Sequence, residues 1–184
     1  MYAITGVTGR VGGIVARTLL DNGLSVRTVA RDATKGAGWK DRGSDVALAD
    51  MNDASALTAA FTGVDGVFVL FPPIFDPTPG FPEAKAIIAA VMTAIEAAKP
   101  PKVVCLSTIG AQATQPNLLH QLGLLEQGLG AAPSPVCFLG AAWFMENAAW
   151  DVTPARDLGV VPISGHEEPG ATRADARWLQ RGLD

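Results

Sequence analysis

The sequence predicts an α/β fold, a three-layer doubly wound structure in which a parallel sheet of about six strands is covered by helices. Short apolar runs alternate with helix-like stretches from the first residues to about residue 160. The runs are unbroken, as in Val-Phe-Val-Leu-Phe (67–71) and Val-Val-Cys-Leu (103–106), which is typical of strands buried on both faces. A chain of 184 residues is long enough for one globular domain of this kind.

Turn and capping residues support the boundaries of the elements. Asp53 is a suitable N-cap, and Gly23 and Gly63 stand where two helices should end. The segment 34–43 is polar and contains glycine, so it is at most a short helix. The predicted strands are 2–5, 25–29, 46–49, 66–71, 102–107 and 136–139, and the predicted helices are 11–22, 53–61, 83–98, 117–130 and 143–158.

The composition argues against several classes of protein. A formal net charge of -4 is unfavourable for binding a nucleic acid backbone. Two Cys and two His, far apart in the chain, predict neither a disulfide framework nor a metal site. The N-terminus has no basic leader, and the most apolar helix candidate, 86–98, is shorter than the roughly 20 residues of a membrane span. We therefore expect a soluble, cytoplasmic protein that does not associate with a membrane.

A glycine-rich segment joins the first predicted strand to the first predicted helix. It reads Ile-Thr-Gly-Val-Thr-Gly-Arg-Val-Gly-Gly (4–13) and spaces Gly6, Gly9 and Gly12 three residues apart. The first glycine permits a tight turn, the second lets the backbone approach a pyrophosphate, and the third lets helix and sheet pack closely. The helix N-terminus adds N–H donors and a positive dipole end. The segment predicts dinucleotide binding in a Rossmann-type fold, with an unliganded glycine-rich turn as the alternative.

The end of the second predicted strand bears on the choice of cofactor. Arg31 stands at its tip, Asp32 follows, and Lys35 and Lys40 lie just beyond. An arginine there accommodates the 2′-phosphate of NADP, whereas an acid binds the ribose hydroxyls of NAD. NADP(H) is therefore favoured, while Asp32 keeps NAD(H) possible. The alternative for Arg31 is a surface ion pair with Asp32 or Asp50.

Two further strand ends carry candidate contacts. Asp50 could accept a hydrogen bond from the adenine amino group, with Met51 covering the ring; alternatively, Asp50 is simply the cap of the following helix turn. The segment 71–82 holds five of the thirteen prolines and follows the fourth strand at the edge where α/β sheets bind ligands. It is either a stiff wall of the cleft or a plain surface loop.

These segments together resemble the NmrA-like branch of the atypical short-chain dehydrogenases/reductases. The likeness covers about residues 2–160, and the matching stretches are 4–12, 26–32, 65–73, 106–111 and 143–147. It implies a Rossmann-fold NAD(P)H binder that is either a quinone-type reductase or a redox-sensing regulator. Residues 1–160 would form the cofactor-binding domain, and 161–184 would be a short or truncated tail where relatives carry a substrate-binding lobe.

The resemblance also implies roles for single residues. His120 falls near the position where such proteins often carry a His or Lys facing the nicotinamide, although it could instead be a histidine on the helix surface. The residues expected at the cofactor, from the pyrophosphate through the 2′-phosphate and adenine to the nicotinamide, are Gly6, Thr8, Gly9, Arg10, Val11, Gly12, Arg31, Asp50, Met51, Leu70, Phe71, Pro72 and Ser107.

Two departures from the family pattern bear on activity. Ordinary members of the superfamily transfer a proton through a Tyr-x-x-x-Lys pair, but the only tyrosine here is Tyr2, and all five lysines precede the fifth helix. That mechanism cannot operate in this chain. The family also shows Arg-Pro at positions 140–141, where this chain has Gly140 and Ala141, which would loosen the turn into the next helix.

Two remaining groups of residues are open to two interpretations. Trp143, Asn147 and Trp150 share one face of the predicted helix 143–158, where they would line an acceptor pocket or, as we favour, pack in the core. Cys105 and Cys137 lie in strands that could be neighbours, and we expect both to be buried, inert thiols.

Two functional hypotheses follow from these observations. The leading one is hydride transfer from NADPH to a quinone or similar small acceptor, favoured by segments 71–73 and 143–150. The other is a non-catalytic NADP(H)-sensing regulator that acts through a protein partner, favoured by the missing Tyr-Lys pair and substrate lobe. A folded remnant that binds nothing is a third possibility.

Overall fold

The structure, a computed structural model, describes residues 1–114, 119–142 and 144–159. The chain divides into two compact units, of which the first ends at Ala141 and the second begins at Ala142. The first unit contains strands β1 (Tyr2–Ile4), β2 (Val26–Ala30), β3 (Asp45–Leu48), β4 (Gly66–Leu70), β5 (Val103–Thr108) and β6 (Val136–Ala141). Its helices are α1 (Arg10–Asp21), α2 (Ala33–Lys40), α3 (Ala54–Phe61), α4 (Pro82–Ala98) and α5 (His120–Leu129).

The six strands form one sheet in the order β3-β2-β1-β4-β5-β6. Every neighbouring pair is parallel, so all the carboxyl ends lie at one edge, which we call the carboxyl edge. The direction of winding reverses between β1 and β4, and ligands of such sheets bind in the crevice at that reversal. The predicted Rossmann-type fold is confirmed, and the crevice opens where the glycine-rich segment follows β1.

Each face of the sheet has its own hydrophobic core. On one face, residues of α3, α4 and α5 such as Phe61, Ile95 and Leu125 pack against the sheet and are fully buried. On the other face, Ala16 of α1 and Trp39 of α2 pack with Ile4 and Val26. This confirms the three-layer arrangement, because the apolar strands are covered from both sides.

Most local predictions agree with the structure to within one or two residues. The segment 34–43 contains a helix of eight residues, α2, begun by Asp32, whose carboxylate accepts hydrogen bonds from two backbone N–H groups of the first turn. Asp53 caps α3 in the same way, through the N–H of Ala56. Gly23 and Gly63 have φ angles of 73° and 72°, as expected for residues that follow helix ends.

The second unit departs from the prediction of one helix over 143–158. A 3₁₀ turn covers Met145–Ala148, and a helix, α6, covers Ala149–Leu158. Asn147 lies in the turn, so the α-helical face predicted to join it to Trp150 is not formed, and that prediction is wrong. Trp143 and the predicted tail 161–184 lie outside the described residues. Within the described ranges, no helix combines the length and apolar character needed to cross a bilayer.

Candidate cofactor site

The glycine-rich turn after β1 is built on backbone contacts that side chains would block. Gly6 has a φ of 67°, and a Cβ placed there would lie 2.4 Å from Leu70 Cδ2. A Cβ on Gly12 would lie 2.4 Å from the carbonyl oxygen of Gly6 and 2.6 Å from that of Thr5. Because both obstacles at Gly12 are backbone atoms, α1 can approach β1 this closely only when that position is glycine.

The N-terminus of α1 is open, unlike those of α2 and α3. Its N-cap is Gly9, which provides no side-chain acceptor, and the first turn contains no acidic residue. Thr8, Gly9 and Arg10 are exposed, and Val11 is partly buried against the core. The first N–H groups of the helix are therefore free to meet an anion in a region of positive dipole. These features fit the pyrophosphate of a dinucleotide.

Thr5 holds this turn against the next strand and was not among the predicted site residues. Its buried hydroxyl donates to the carbonyl oxygen of Phe68 at 3.2 Å and accepts from the N–H of Leu70 at 2.8 Å. Both partners lie near the carboxyl end of β4. The signal available in the sequence was a hydroxyl residue between the strand and the first glycine, but its partners are more than 60 residues away.

At the end of β2, the two residues that bear on cofactor choice are in different situations. Arg31 is exposed and forms no hydrogen bond or ion pair with the residues that the structure describes. Asp32 accepts from the N–H groups of Lys35 and Thr34, and these bonds hold the pKa of its carboxyl below the usual value. The carboxylate of Asp32 is thus engaged in helix capping, while the guanidinium of Arg31 faces solvent.

Asp50 and Met51 follow β3 at the same edge. The carboxylate of Asp50 accepts from the backbone N–H of Asn52 at 2.9 Å and from its side-chain amide at 3.1 Å. These hydrogen bonds, led by the backbone one, lower the pKa of Asp50, and the charge of Arg31 adds to the effect. Asp50 is exposed and closes a turn with Asn52, the cap of α3 being Asp53, while Met51 packs against the core.

The proline-rich segment 71–82 is fixed to the start of α5. Phe71 is buried and Pro72 partly buried, and the carbonyl oxygen of Ile74 accepts a 2.8 Å hydrogen bond from the side-chain amide of Gln121. The rings of Phe81 and His120 lie 5.3 Å apart between centroids. The segment is therefore an anchored loop, and Gln121 is a second residue with a structural role that was not predicted from the sequence.

Ser107 and His120 approach the carboxyl edge from β5 and α5. Ser107 is buried, and its hydroxyl donates to the carboxylate of Glu126 in α5. His120 is half-buried, and its Nδ1 has no hydrogen-bond partner among the described residues. Glu126 was not predicted, since nothing local in the sequence relates it to a serine 19 residues earlier.

Tyr2 and the two cysteines do not contribute to this arrangement. Tyr2 begins β1 at the opposite, amino edge of the sheet, where Lys102 lies 5.4 Å from the centroid of its ring. Cys105 is buried, and burial raises its pKa to about 12, with a smaller contribution from the neighbouring Cys137. Cys137 is exposed, which corrects the prediction that both thiols are buried: it lies on β6, an edge strand, on the face away from the helices α3 to α5.

Comparison with protein families and curated proteins agrees with this geometry. A family model described as NAD(P)H-binding matches residues 6–131. The chain is 30% identical over 160 residues to an NAD(P)H azoreductase of Xenophilus azovorans, covering 86% of this chain and 54% of that protein. It is 28% identical over 201 residues to an NmrA-like family domain-containing oxidoreductase of Cladobotryum sp., covering 100% and 58%. The resemblance to NmrA-like proteins is confirmed, and the chain spans little more than half the length of these relatives.

Solved structures share the fold. An NADPH-dependent quinone oxidoreductase of Escherichia coli, complexed with NADPH, superposes with a TM-score of 0.74 at 24% identity, over 86% of this chain and 55% of that one. A triphenylmethane reductase of Citrobacter sp., complexed with NADP(H), gives a TM-score of 0.70 at 23% identity, over 84% and 56%. At these identities, the superpositions establish the common architecture.

Proposed function

This chain belongs to the NAD(P)H-binding family, and we propose that it binds NADPH and transfers hydride from it to a quinone or a similar planar acceptor. The observation that carries the proposal is the uncapped N-terminus of α1 behind the Gly6–Gly12 turn, beside an exposed Arg31 at the end of the neighbouring strand. The free N–H groups at the start of α1 can bind a pyrophosphate, and the guanidinium of Arg31 can bind a 2′-phosphate.

The preference for NADPH over NADH rests on the contrast between Arg31 and Asp32. A guanidinium that is exposed and forms no hydrogen bond or ion pair with the described residues can bind a phosphate dianion with two parallel hydrogen bonds. A carboxylate that caps a helix has one oxygen occupied by N–H groups and is less able to accept from both ribose hydroxyls. Two of the similar solved structures are described as complexed with NADPH or NADP(H), which supports the same choice.

The reactive half of the cofactor would lie over the carboxyl ends of β4 and β5. Leu70 ends β4 and Phe71 follows it. Ser107 stands near the end of the adjacent β5, whose Leu106 pairs with Leu70. When bound, the dihydronicotinamide supplies the hydride, and this chain supplies position and shelter from water. A quinone that receives hydride can take its proton from water, so the missing Tyr-Lys pair does not prevent turnover. His120, at the start of α5, is our candidate for assisting that proton transfer.

The proposed class of acceptor rests on the relatives. Three of them are described as an azoreductase, a quinone oxidoreductase and a triphenylmethane reductase, and azo compounds, quinones and triphenylmethane dyes are all conjugated acceptors of electrons. Because the chain spans about half the length of these proteins, the acceptor remains part of the proposal.

A non-catalytic NADP(H)-sensing regulator is the second candidate. The observation that favours it is the position of the only tyrosine, Tyr2, at the amino edge of the sheet, across the domain from the proposed site. A protein of this kind would bind the cofactor without consuming it and would report the bound state to a protein partner.

Titration of the purified chain with NADPH and NADH, followed by NADPH oxidation with a panel of quinones and azo dyes, separates the candidates. We expect tighter binding of NADPH than of NADH, and oxidation that depends on the acceptor. Binding without turnover on any acceptor would favour the sensor, and failure to bind either nucleotide below millimolar concentration would overturn both proposals.

A further inference from the structure

The contact between Ser107 and Glu126 joins β5 to α5 at the level of the proposed nicotinamide site. Ser107 is 2% exposed and Glu126 is half-buried. In the parallel register, Leu106 pairs with Leu70 and Ser107 is the next residue, so Ser107 lies at the height of Phe71. The pair is thus a polar contact placed at the carboxyl edge, beside the loop that follows β4.

The hydrogen bond fixes the direction of the only proton on the serine oxygen. A hydroxyl has one donor and two acceptor positions, whereas a carboxylate can only accept. Since the hydroxyl donates to Glu126, its oxygen presents only lone pairs in other directions. Among the described residues, no group donates a hydrogen bond to this oxygen. Ser107 is only 2% exposed, so a ligand reaches this oxygen only when the atoms that cover it at the carboxyl edge move aside.

We propose that Glu126 is a positioning residue that makes Ser107 a dedicated hydrogen-bond acceptor, so that this position selects a ligand with an N–H donor, namely the carboxamide of the nicotinamide ring. The inference rests on the proposed function, because it requires the nicotinamide at this end of the site. Glu126 does not contact the ligand; it acts by preventing the serine proton from turning towards it.

The proposal is tested by cofactor analogues that differ at the carboxamide. In the 3-acetylpyridine analogue of NADP⁺, a methyl group replaces the amino group, so the donor is lost; the thionicotinamide analogue keeps the amino group. We expect the wild-type chain to bind NADP⁺ about five- to tenfold more tightly than the acetylpyridine analogue, as for one hydrogen bond lost. Its affinity for the thionicotinamide analogue should stay close to that for NADP⁺.

Variants then identify the origin of this preference. Glu126→Leu frees the serine proton to rotate, so the ratio between NADP⁺ and the acetylpyridine analogue should fall to within about twofold. Glu126→Gln should keep most of the preference, because its amide oxygen still accepts from the serine. Ser107→Ala should abolish the preference, and adding Glu126→Leu to that background should change nothing further. Gln127→Leu, at the exposed neighbouring position, is the matched control and should retain the wild-type ratio.

The outcomes separate this inference from the proposed function. If the wild-type chain does not bind NADP⁺, the proposed function fails. If it binds NADP⁺ but shows no preference over the acetylpyridine analogue, or keeps the preference in Glu126→Leu, only the role of Glu126 is overturned. Should Glu126→Leu fail to fold, Ser107→Ala and Glu126→Gln decide: equal ratios in Ser107→Ala and the wild type would contradict the proposal.

Discussion

The two ends of the proposed site are held together by different kinds of contact. At the phosphate end, β1, the glycine turn and α1 meet through backbone atoms, and the controlling feature is the absence of side chains at Gly6 and Gly12. At the nicotinamide end, β5, α5 and the loop 71–82 meet through side chains, as in the contacts of Ser107 with Glu126 and of Gln121 with Ile74.

This difference determines how each end tolerates change. Backbone atoms in van der Waals contact cannot move aside by changing a side-chain rotamer. An added methyl group must therefore displace a whole helix or strand. A side-chain contact can be lost with local effects, and its loss changes function more than folding. We therefore expect substitutions at the phosphate end to affect stability first and those at the nicotinamide end to affect turnover or selectivity.

The largest effect is expected for Gly12→Ala. Its Cβ would meet two backbone carbonyl oxygens at 2.4 and 2.6 Å, so α1 must move away from β1. We expect the free energy of unfolding to fall by about 3 kcal/mol, measured by urea denaturation, with loss of NADPH binding.

Gly38→Ala is the matched control for that substitution. Gly38 lies within α2, and an added Cβ would meet no atom within 4 Å. Because alanine is the better helix former, this variant should be more stable than the wild type by about 0.5–1 kcal/mol. Equal stabilities for the two variants would show that the phosphate end is not constrained by backbone packing.

The next largest effect is expected for Arg31→Ala. Loss of a charge-assisted contact to a 2′-phosphate should weaken NADPH binding about 10- to 100-fold and leave NADH binding within twofold, as measured by fluorescence titration. Arg42→Ala is the control, because Arg42 precedes β3 at the amino edge, where its guanidinium lies over Trp39. Equal weakening of both nucleotides in Arg31→Ala would refute the assignment of Arg31.

A smaller effect is expected for His120→Ala. If His120 assists protonation of the reduced acceptor, kcat should fall about tenfold, below the usual range for general acids because water can substitute, while NADPH affinity is kept. Phe81→Leu removes the aromatic neighbour of the imidazole but keeps an apolar side chain. An equal loss of kcat in both variants would assign the effect to packing of the loop 71–82 rather than to the imidazole.

The same contrast explains what the sequence could and could not predict. The order of elements, the six strands and the glycine turn follow from local patterns, since each is encoded within a few consecutive residues. Thr5, Gln121 and Glu126 were missed because their partners are 19 or more residues away, and no pattern within one segment identifies such pairs. The helix predicted over 143–158 is α-helical only from Ala149 onward, because the aromatic spacing does not reveal that Met145–Ala148 form a 3₁₀ turn.

The smallest effect is expected at the two cysteines, which test whether the β5 face beneath Ser107 is closed. Cys105 lies two residues before Ser107 on the same buried face, and burial raises its pKa to about 12. Almost none of the Cys105 side chain is thiolate at pH 8, so it should not react with a thiol-specific disulfide reagent until the chain unfolds, whereas the exposed Cys137 should react at once.

The pKa of Cys105 is higher in the folded chain than in the unfolded chain, so unfolding releases a proton at high pH. The free energy of unfolding should therefore decrease as the pH rises above about 9, and it should decrease less in Cys105→Ala. Labelling of Cys137 should leave NADPH affinity within twofold, because Cys137 lies near the amino end of the edge strand β6, away from the carboxyl edge. Rapid labelling of Cys105 in the folded Cys137→Ser variant would show that the nicotinamide end is open beneath Ser107, and that water could reach the serine oxygen that we assign to the cofactor.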